Sequence, residues 1–153
     1  MNIESESEIS YSRASEADAN PLSEFLQSFV DEKQLLPRTV EELRHLTKFA
    51  WIARWNGEIV GFSAVEVYSR KLAELQCMAV SLEVRRCGVG QNLVRRCVEL
   101  AREQGVLELM AISSSDEFLR SCGFGHSLPQ QKRAFFIQPG EGARDAHEQD
   151  SGS

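Results

Sequence analysis

Three histidines and four cysteines are all the soft metal ligands this chain offers. Cys77, Cys87, Cys97 and Cys122 form no C-x-x-C pair, and the histidines are scattered. A zinc site is therefore not expected. Free thiols, buried or half-buried in a reducing compartment, are. No apolar run approaches the roughly 20 residues that span a bilayer. The start, MNIESESEIS, is polar and acidic, unlike a signal peptide. A cytoplasmic protein that binds no membrane is the expectation. Positive charge is also short: 17 Lys and Arg stand against 23 Asp and Glu, a net charge of −6. That argues against general nucleic-acid binding.

What is present suits one globular domain: 153 residues, 42% hydrophobic and 26% charged. The arginines are unevenly placed. Arg85, Arg86, Arg95, Arg96 and Arg102 gather on and just after EVRRCGVGQNLV, residues 83–94. This basic cluster reads equally as a solvated helix face or as a local sink for phosphate charge.

Strands and helices follow from periodicity and punctuation. ISYSRAS (9–15) reads as a first strand. A helix follows with Asn20 as N-cap and Pro21 in the first helical position. Its Leu22, Phe25, Leu26, Phe29 and Val30 form one apolar stripe. Thr39 and Glu42 form a capping box, which starts a second helix. Asn56-Gly57 between two apolar runs predicts a hairpin. AELQCMAV (73–80) completes a meander. After the glycines, Leu93, Val94, Cys97, Leu100 and Ala101 trace a further helical stripe, with Gly105 as its C′ residue. LELMAI reads as a buried strand, 116–122 as a short helix and AFFI (134–137) as a last strand. The order β-α-α-β-β-β-α-β-α-β predicts a mixed α/β sheet in one domain over 1–138. Residues 139–153, acidic and rich in Gly and Ser, read as a disordered tail.

Glycines between a strand and a helix permit left-handed backbone and close ligand approach. The helix behind them presents orphan amides and the positive end of its dipole. Together they suit phosphate or pyrophosphate. A Walker A loop is excluded because Gln91-Asn92 stands where Lys-Ser/Thr is needed. The dinucleotide G-x-G-x-x-G is excluded because its third position is Leu93.

What remains is V-x4-R-x-x-G-x-G: Val80, Arg85, Gly88 and Gly90. With RSCGF before the last strand, it resembles the coenzyme A loop of the GNAT superfamily of N-acetyltransferases, over residues 8–137. The resemblance implies a GNAT fold, a mostly antiparallel mixed sheet flanked by helices. Strand 73–80 is bulged and splayed from strand 107–112. Acetyl-CoA is the implied co-substrate, with no metal. Its pantetheine arm would lie along Met78, Ala79 and Val80. Its pyrophosphate would sit on amides from Arg86 through Cys87, Gly88, Val89 and Gly90 to Gln91, with Arg85 and Arg86 at the rim.

LLPRTVEEL, IVGFSAVEVYSRKLAELQCMAV and LPQQK further resemble the acetyltransferase domain of bacterial N-acetylglutamate synthases. That resemblance implies a small-molecule amine as partner, an amino acid such as glutamate, and a place in arginine biosynthesis. A homodimer is a further expectation. Glu74 is the candidate general base, because an incoming ammonium must lose a proton before it attacks. An exposed strand carboxylate is the alternative reading of Glu74. Arg38 and Lys132 are candidates to hold substrate carboxylates, or else plain surface charges. Cys77 would line the pocket or simply be a buried thiol. Strict alternation puts Glu74 and Gln76 on one face and Leu75, Cys77 and Ala79 on the other; a bulge would disturb it.

Three features depart from these patterns. Leu119 stands where many GNAT enzymes carry a tyrosine acid, though the synthases also tend to lack it. Ser113-Ser114-Ser115 replaces a Thr-Thr pair. No arginine follows AFFIQP until Arg144. The amino-acid kinase domain of many synthases is not among these residues, so arginine feedback through it is not expected. The other readings are transfer to another small amine or to a protein N-terminus, and a catalytically silent coenzyme A-binding module.

Overall fold

The structure is a computed structural model that describes residues 8–113, 116–126 and 135–140. Met1–Cys122 and Gly123–Ser153 form two compact units. The sheet and its helices belong to the first. Its elements run β1 (Ile9–Arg13), α1 (Ala19–Asp31), α2 (Val40–Leu46), β2 (Ala50–Trp55), β3 (Glu58–Val67), β4 (Leu72–Val80), α3 (Val89–Glu103), β5 (Glu108–Ala111) and α4 (Asp116–Ser121). The sheet order is β1-β2-β3-β4-β5. Every neighbouring pair is antiparallel except β4–β5, which is parallel and joined through α3.

Local chemistry explains most boundaries. Thr39 and Glu42 form the expected capping box, with the Glu42 N–H donating to Thr39 Oγ1 at 3.1 Å. Asn56 and Gly57 turn the β2–β3 hairpin with φ of 51° and 81°, the paired positive values of a type I′ turn. The entry to α1 differs from expectation. A short 3-10 turn, Glu16–Asp18, precedes it, capped by Ser15. The Asp18 carboxylate accepts from the Ser15 N–H at 2.8 Å. Asn20 is thus inside the helix rather than its cap, and Pro21 occupies the third helical position. It is tolerated there because first-turn N–H groups have no helical partner.

Two apolar layers sandwich the sheet. On one face Leu22 and Leu26 of α1 and Leu43 and Leu46 of α2 pack on Ala50, Ile52, Phe62, Ala64, Cys77 and Ala79. On the other, Val84, Val89 and Leu93 pack on Ala53 and Val60. The α3 stripe predicted from the sequence is buried in full. The expected last strand is not there: Phe135–Ile137 are irregular, and Ala134 lies outside the described residues. Most of the expected tail lies outside them as well.

Candidate active site

The site begins with an irregularity in β4. Ala64 of β3 pairs with Gln76, and Phe62 pairs with Ala79. One residue of β3, Ser63, is therefore opposed by two of β4, Cys77 and Met78, which is a β-bulge. Cys77 takes φ of 56°, a left-handed conformation uncommon outside glycine. The bulge corrects the simple alternation. Gln76 shares the face of its partner Ala64, and Cys77 and Ala79 pack in the same layer as Ala64. Leu75 points to the opposite side, so Leu75, Cys77 and Ala79 do not share a face.

Past the bulge the sheet opens. β5 pairs with β4 only along Leu72–Leu75. From Gln76 to Val80, β4 has no β5 partner among the described residues. A cleft of about 770 Å³ fills the gap. β4 lines it with Met78, Ala79 and Val80, and the following 3-10 turn adds Arg85 and Arg86. The start of α3 adds Gly88, Gly90 and Gln91. Gly88 is the N-cap, with φ of 75°, and no side chain among the described residues caps the helix. The α3 amides at this end are orphans in an uncapped turn, a natural anion seat. Gly90 is there for space. A Cβ on it would lie 3.1 Å from both Met78 Cε and Phe118 Cζ.

Two loop residues place their side chains elsewhere. Val89 is fully buried beneath the sheet, and Cys87 packs against the same layer. The arginine cluster divides too. Only Arg85 and Arg86 reach the cleft. Arg96 stacks over the rings of Tyr11 and Trp51, 4.6 and 4.8 Å from their centroids. Arg95 bonds Asn92, and Arg102 pairs with Glu99. Most of that cluster serves the helix face rather than the cleft.

At the α1–α2 end, Gln34, Leu35 and Cys77 line the cleft. A smaller cavity of about 80 Å³ shares Leu35 and Cys77 and is also lined by Arg38. Arg38 Nη1 donates to Gln76 Oε1 at 2.7 Å, while Arg38 Nε is buried without a partner among the described residues. Gln76 Nε2 donates to Tyr68 Oη at 2.9 Å and to Glu74 Oε1 at 3.3 Å. Tyr68 Oη donates to Glu74 Oε1 at 2.6 Å. That bond and burial push the Tyr68 phenol up to about 12. Burial raises the Cys77 thiol, with nearby Arg38 opposing. Cys77 is thus an apolar wall rather than a thiolate. None of the four cysteines is in a disulfide.

Arg38, distant in sequence, comes together with Glu74 and Cys77 of β4 beside the bulge. Lys132 lies outside the described residues, as do Ser114 and Ser115. Leu119 lines the cleft. Sequence reasoning missed Tyr68 and the role of Gln76. The signal was available in the hairpin register: Val67 pairs with Ala73, which sets Tyr68 one step from the turn that leads back to Glu74. Among the described residues, no cluster of His, Cys, Asp and Glu could hold a metal ion. No helix there is long and apolar enough to cross a membrane.

The site is thus a five-stranded mixed sheet that splays at a bulge beside a helix start. The model of the acetyltransferase (GNAT) family matches residues 14–124. The chain belongs to that family, whose members take their acetyl group from acetyl-CoA. It is 31% identical over 109 residues to an uncharacterized N-acetyltransferase of Chlorobaculum tepidum, covering 71% of this chain and 70% of that one. It is 26% identical to an amino-acid acetyltransferase of Neisseria meningitidis, over 95% of this chain but only 34% of the relative. The fold matches N-acetylglutamate synthase from Neisseria gonorrhoeae, solved with coenzyme A and N-acetyl-glutamate. That match has a TM-score of 0.71 and 22% identity, and covers 93% of this chain and 32% of the other. The chain thus spans about a third of these two amino-acid-acetylating relatives.

Proposed function

We propose that this N-acetyltransferase transfers the acetyl group of acetyl-CoA to the α-amino group of a small amino acid, with glutamate the first acceptor to test. The observation that carries this reading is the convergence beside one bulge of an uncapped helix start and of a carboxylate and a guanidinium linked through Gln76. The α3 amides and the arginines Arg85 and Arg86 hold the pyrophosphate. Met78, Ala79 and Val80 offer unpaired strand backbone to the pantetheine arm, as an added strand would meet it. Coenzyme A bound to the gonococcal synthase supports this assignment.

The acceptor enters from the α1–α2 side. Arg38 holds its carboxylate through the unpartnered Nε, and Lys132 is the second candidate cation. Glu74 takes the ammonium proton, directly or through water. The freed amine attacks the thioester carbonyl; the N–C bond forms, the attacking nitrogen gives up its surplus proton to water, the C–S bond breaks, and coenzyme A leaves as thiolate. A backbone N–H near Met78 stabilises the oxyanion. Leu119 offers no acid, but a thiol of pKa about 8.5 leaves tolerably as its anion. With glutamate the product is N-acetylglutamate, and arginine biosynthesis the corresponding role.

The test is free-thiol release from acetyl-CoA across the twenty amino acids, simple polyamines and short peptides. Turnover restricted to an amino acid supports the reading. Turnover only with polyamines or peptide N-termini moves the acceptor to another amine. Binding of acetyl-CoA without turnover of any amine makes the chain a silent coenzyme-binding module.

A further inference from the structure

The polar chain Arg38–Gln76–Tyr68–Glu74 runs in one direction. Arginine can only donate. Its bond to Gln76 therefore sets which end of the amide faces it, the carbonyl oxygen. The amide nitrogen is left to donate to Tyr68 and Glu74. Tyr68 Oη accepts from Gln76, and its own proton goes to Glu74. Two donors thus converge on Oε1 of Glu74. Oε2 accepts no hydrogen bond among the described residues. The Tyr68 phenol, held near 12, stays a donor throughout any ordinary assay range.

We infer that Tyr68 and Gln76 are positioning residues for acetyl transfer: they occupy Oε1 of Glu74 and leave Oε2 as the oxygen that takes the ammonium proton. This rests on Glu74 being the base. Arg38 anchors the chain of donors while its Nε remains for the acceptor carboxylate. Base and carboxylate clamp are therefore set by one hydrogen-bonded unit. Two neutral side chains link them without neutralising either charge.

A double-mutant cycle tests this, with Tyr68→Phe measured in the wild-type and Glu74→Gln backgrounds. A positioning role predicts a kcat loss of roughly 10- to 100-fold from Tyr68→Phe in wild type. It predicts no further loss once Glu74 is Gln, and KM for acetyl-CoA unchanged. Equal losses in both backgrounds overturn the inference, since a purely structural effect would add. No loss in wild type overturns it as well, while a slow Glu74→Gln leaves the base assignment standing. A fully active Glu74→Gln, or a wild type without turnover, removes the base assignment and this inference with it. Gln76→Leu, run through the same cycle, decides the matter if Tyr68→Phe fails to fold.

Discussion

Leu75 and Ala79 lie four residues apart on one strand and face opposite sides of the sheet. The left-handed residue between them, Cys77, makes the difference. Without that extra residue the strand would present both side chains to one layer. With it, Glu74 and Gln76 open toward α1 and α2, and Met78 approaches Gly90 at the start of α3. One bulge thus serves both ends of the proposed reaction.

Replacing Glu74 by Gln keeps the shape and removes the proposed base. Turnover is expected to fall by roughly 10²- to 10⁴-fold, with acetyl-CoA affinity retained by calorimetry. Wild-type turnover in this variant would remove Glu74 from the mechanism.

The two loop glycines should fail differently. At Gly88, with φ of 75°, Val strains the backbone that aims the α3 amides. At Gly90, Val collides with Met78 and Phe118. Both variants are expected to bind acetyl-CoA at least about tenfold more weakly, by the strength of one or more charge-assisted hydrogen bonds. Gly90→Val should also lower the melting temperature by overpacking. Wild-type affinity in a folded Gly88→Val protein would refute the phosphate seat.

Arg38→Ala is expected to raise KM for an amino-acid acceptor by roughly 10- to 100-fold, the scale of a hydrogen bond to a charged group. KM for acetyl-CoA should stay put. Arg38→Lys should recover little, because a point charge cannot serve Gln76 and a carboxylate in the same fork. Unchanged acceptor KM would return Arg38 to the surface charges.

Alkaline titration reports on Tyr68. Its phenol is raised from 10.0 to about 12, first by the hydrogen bond to Glu74, and burial also raises Tyr11. The chain has two tyrosines, so neither should ionise at the usual pH when followed by ultraviolet absorbance. For Tyr68 the folded value lies above the unfolded one. Its contribution to stability is complete below about pH 10 and is lost as pH rises toward 12. Glu74→Gln should bring Tyr68 down. A phenol ionising near 10 in the wild type would contradict the Tyr68–Glu74 bond.

Arg96 offers a contrast. Stacked on Tyr11 and Trp51, it is expected to contribute about 1–2 kcal/mol to folding. Arg96→Ala should lower the denaturation midpoint and leave KM for acetyl-CoA unchanged. A rise in that KM would put Arg96 with Arg85 and Arg86, the arginines proposed to hold phosphate.

Local chemistry was enough for much of this protein. A capping box, an Asn-Gly turn and two 3.6-residue apolar stripes depend on neighbours a few residues apart, so Thr39, Asn56-Gly57 and the α3 face were legible in the sequence. So was the placing of the glycine loop between a strand and α3, because its arginines and glycines are contiguous with the helix they begin; that it holds coenzyme A is the proposal. Non-local packing decided the rest. The arginine cluster divided because Arg85 and Arg86 lie in the turn before α3, beside the cleft, while Arg95, Arg96 and Arg102 lie further along the helix. Asp18 rather than Asn20 stood as the N-cap of α1, since a 3-10 turn capped by Ser15 came first. Tyr68 and Gln76 met Glu74 through the β3–β4 register, and Arg38 reached Gln76 across 38 residues of sequence. A side-chain period of two offers no sign of where one residue will be inserted; the pairing of Ser63 against two residues supplied it.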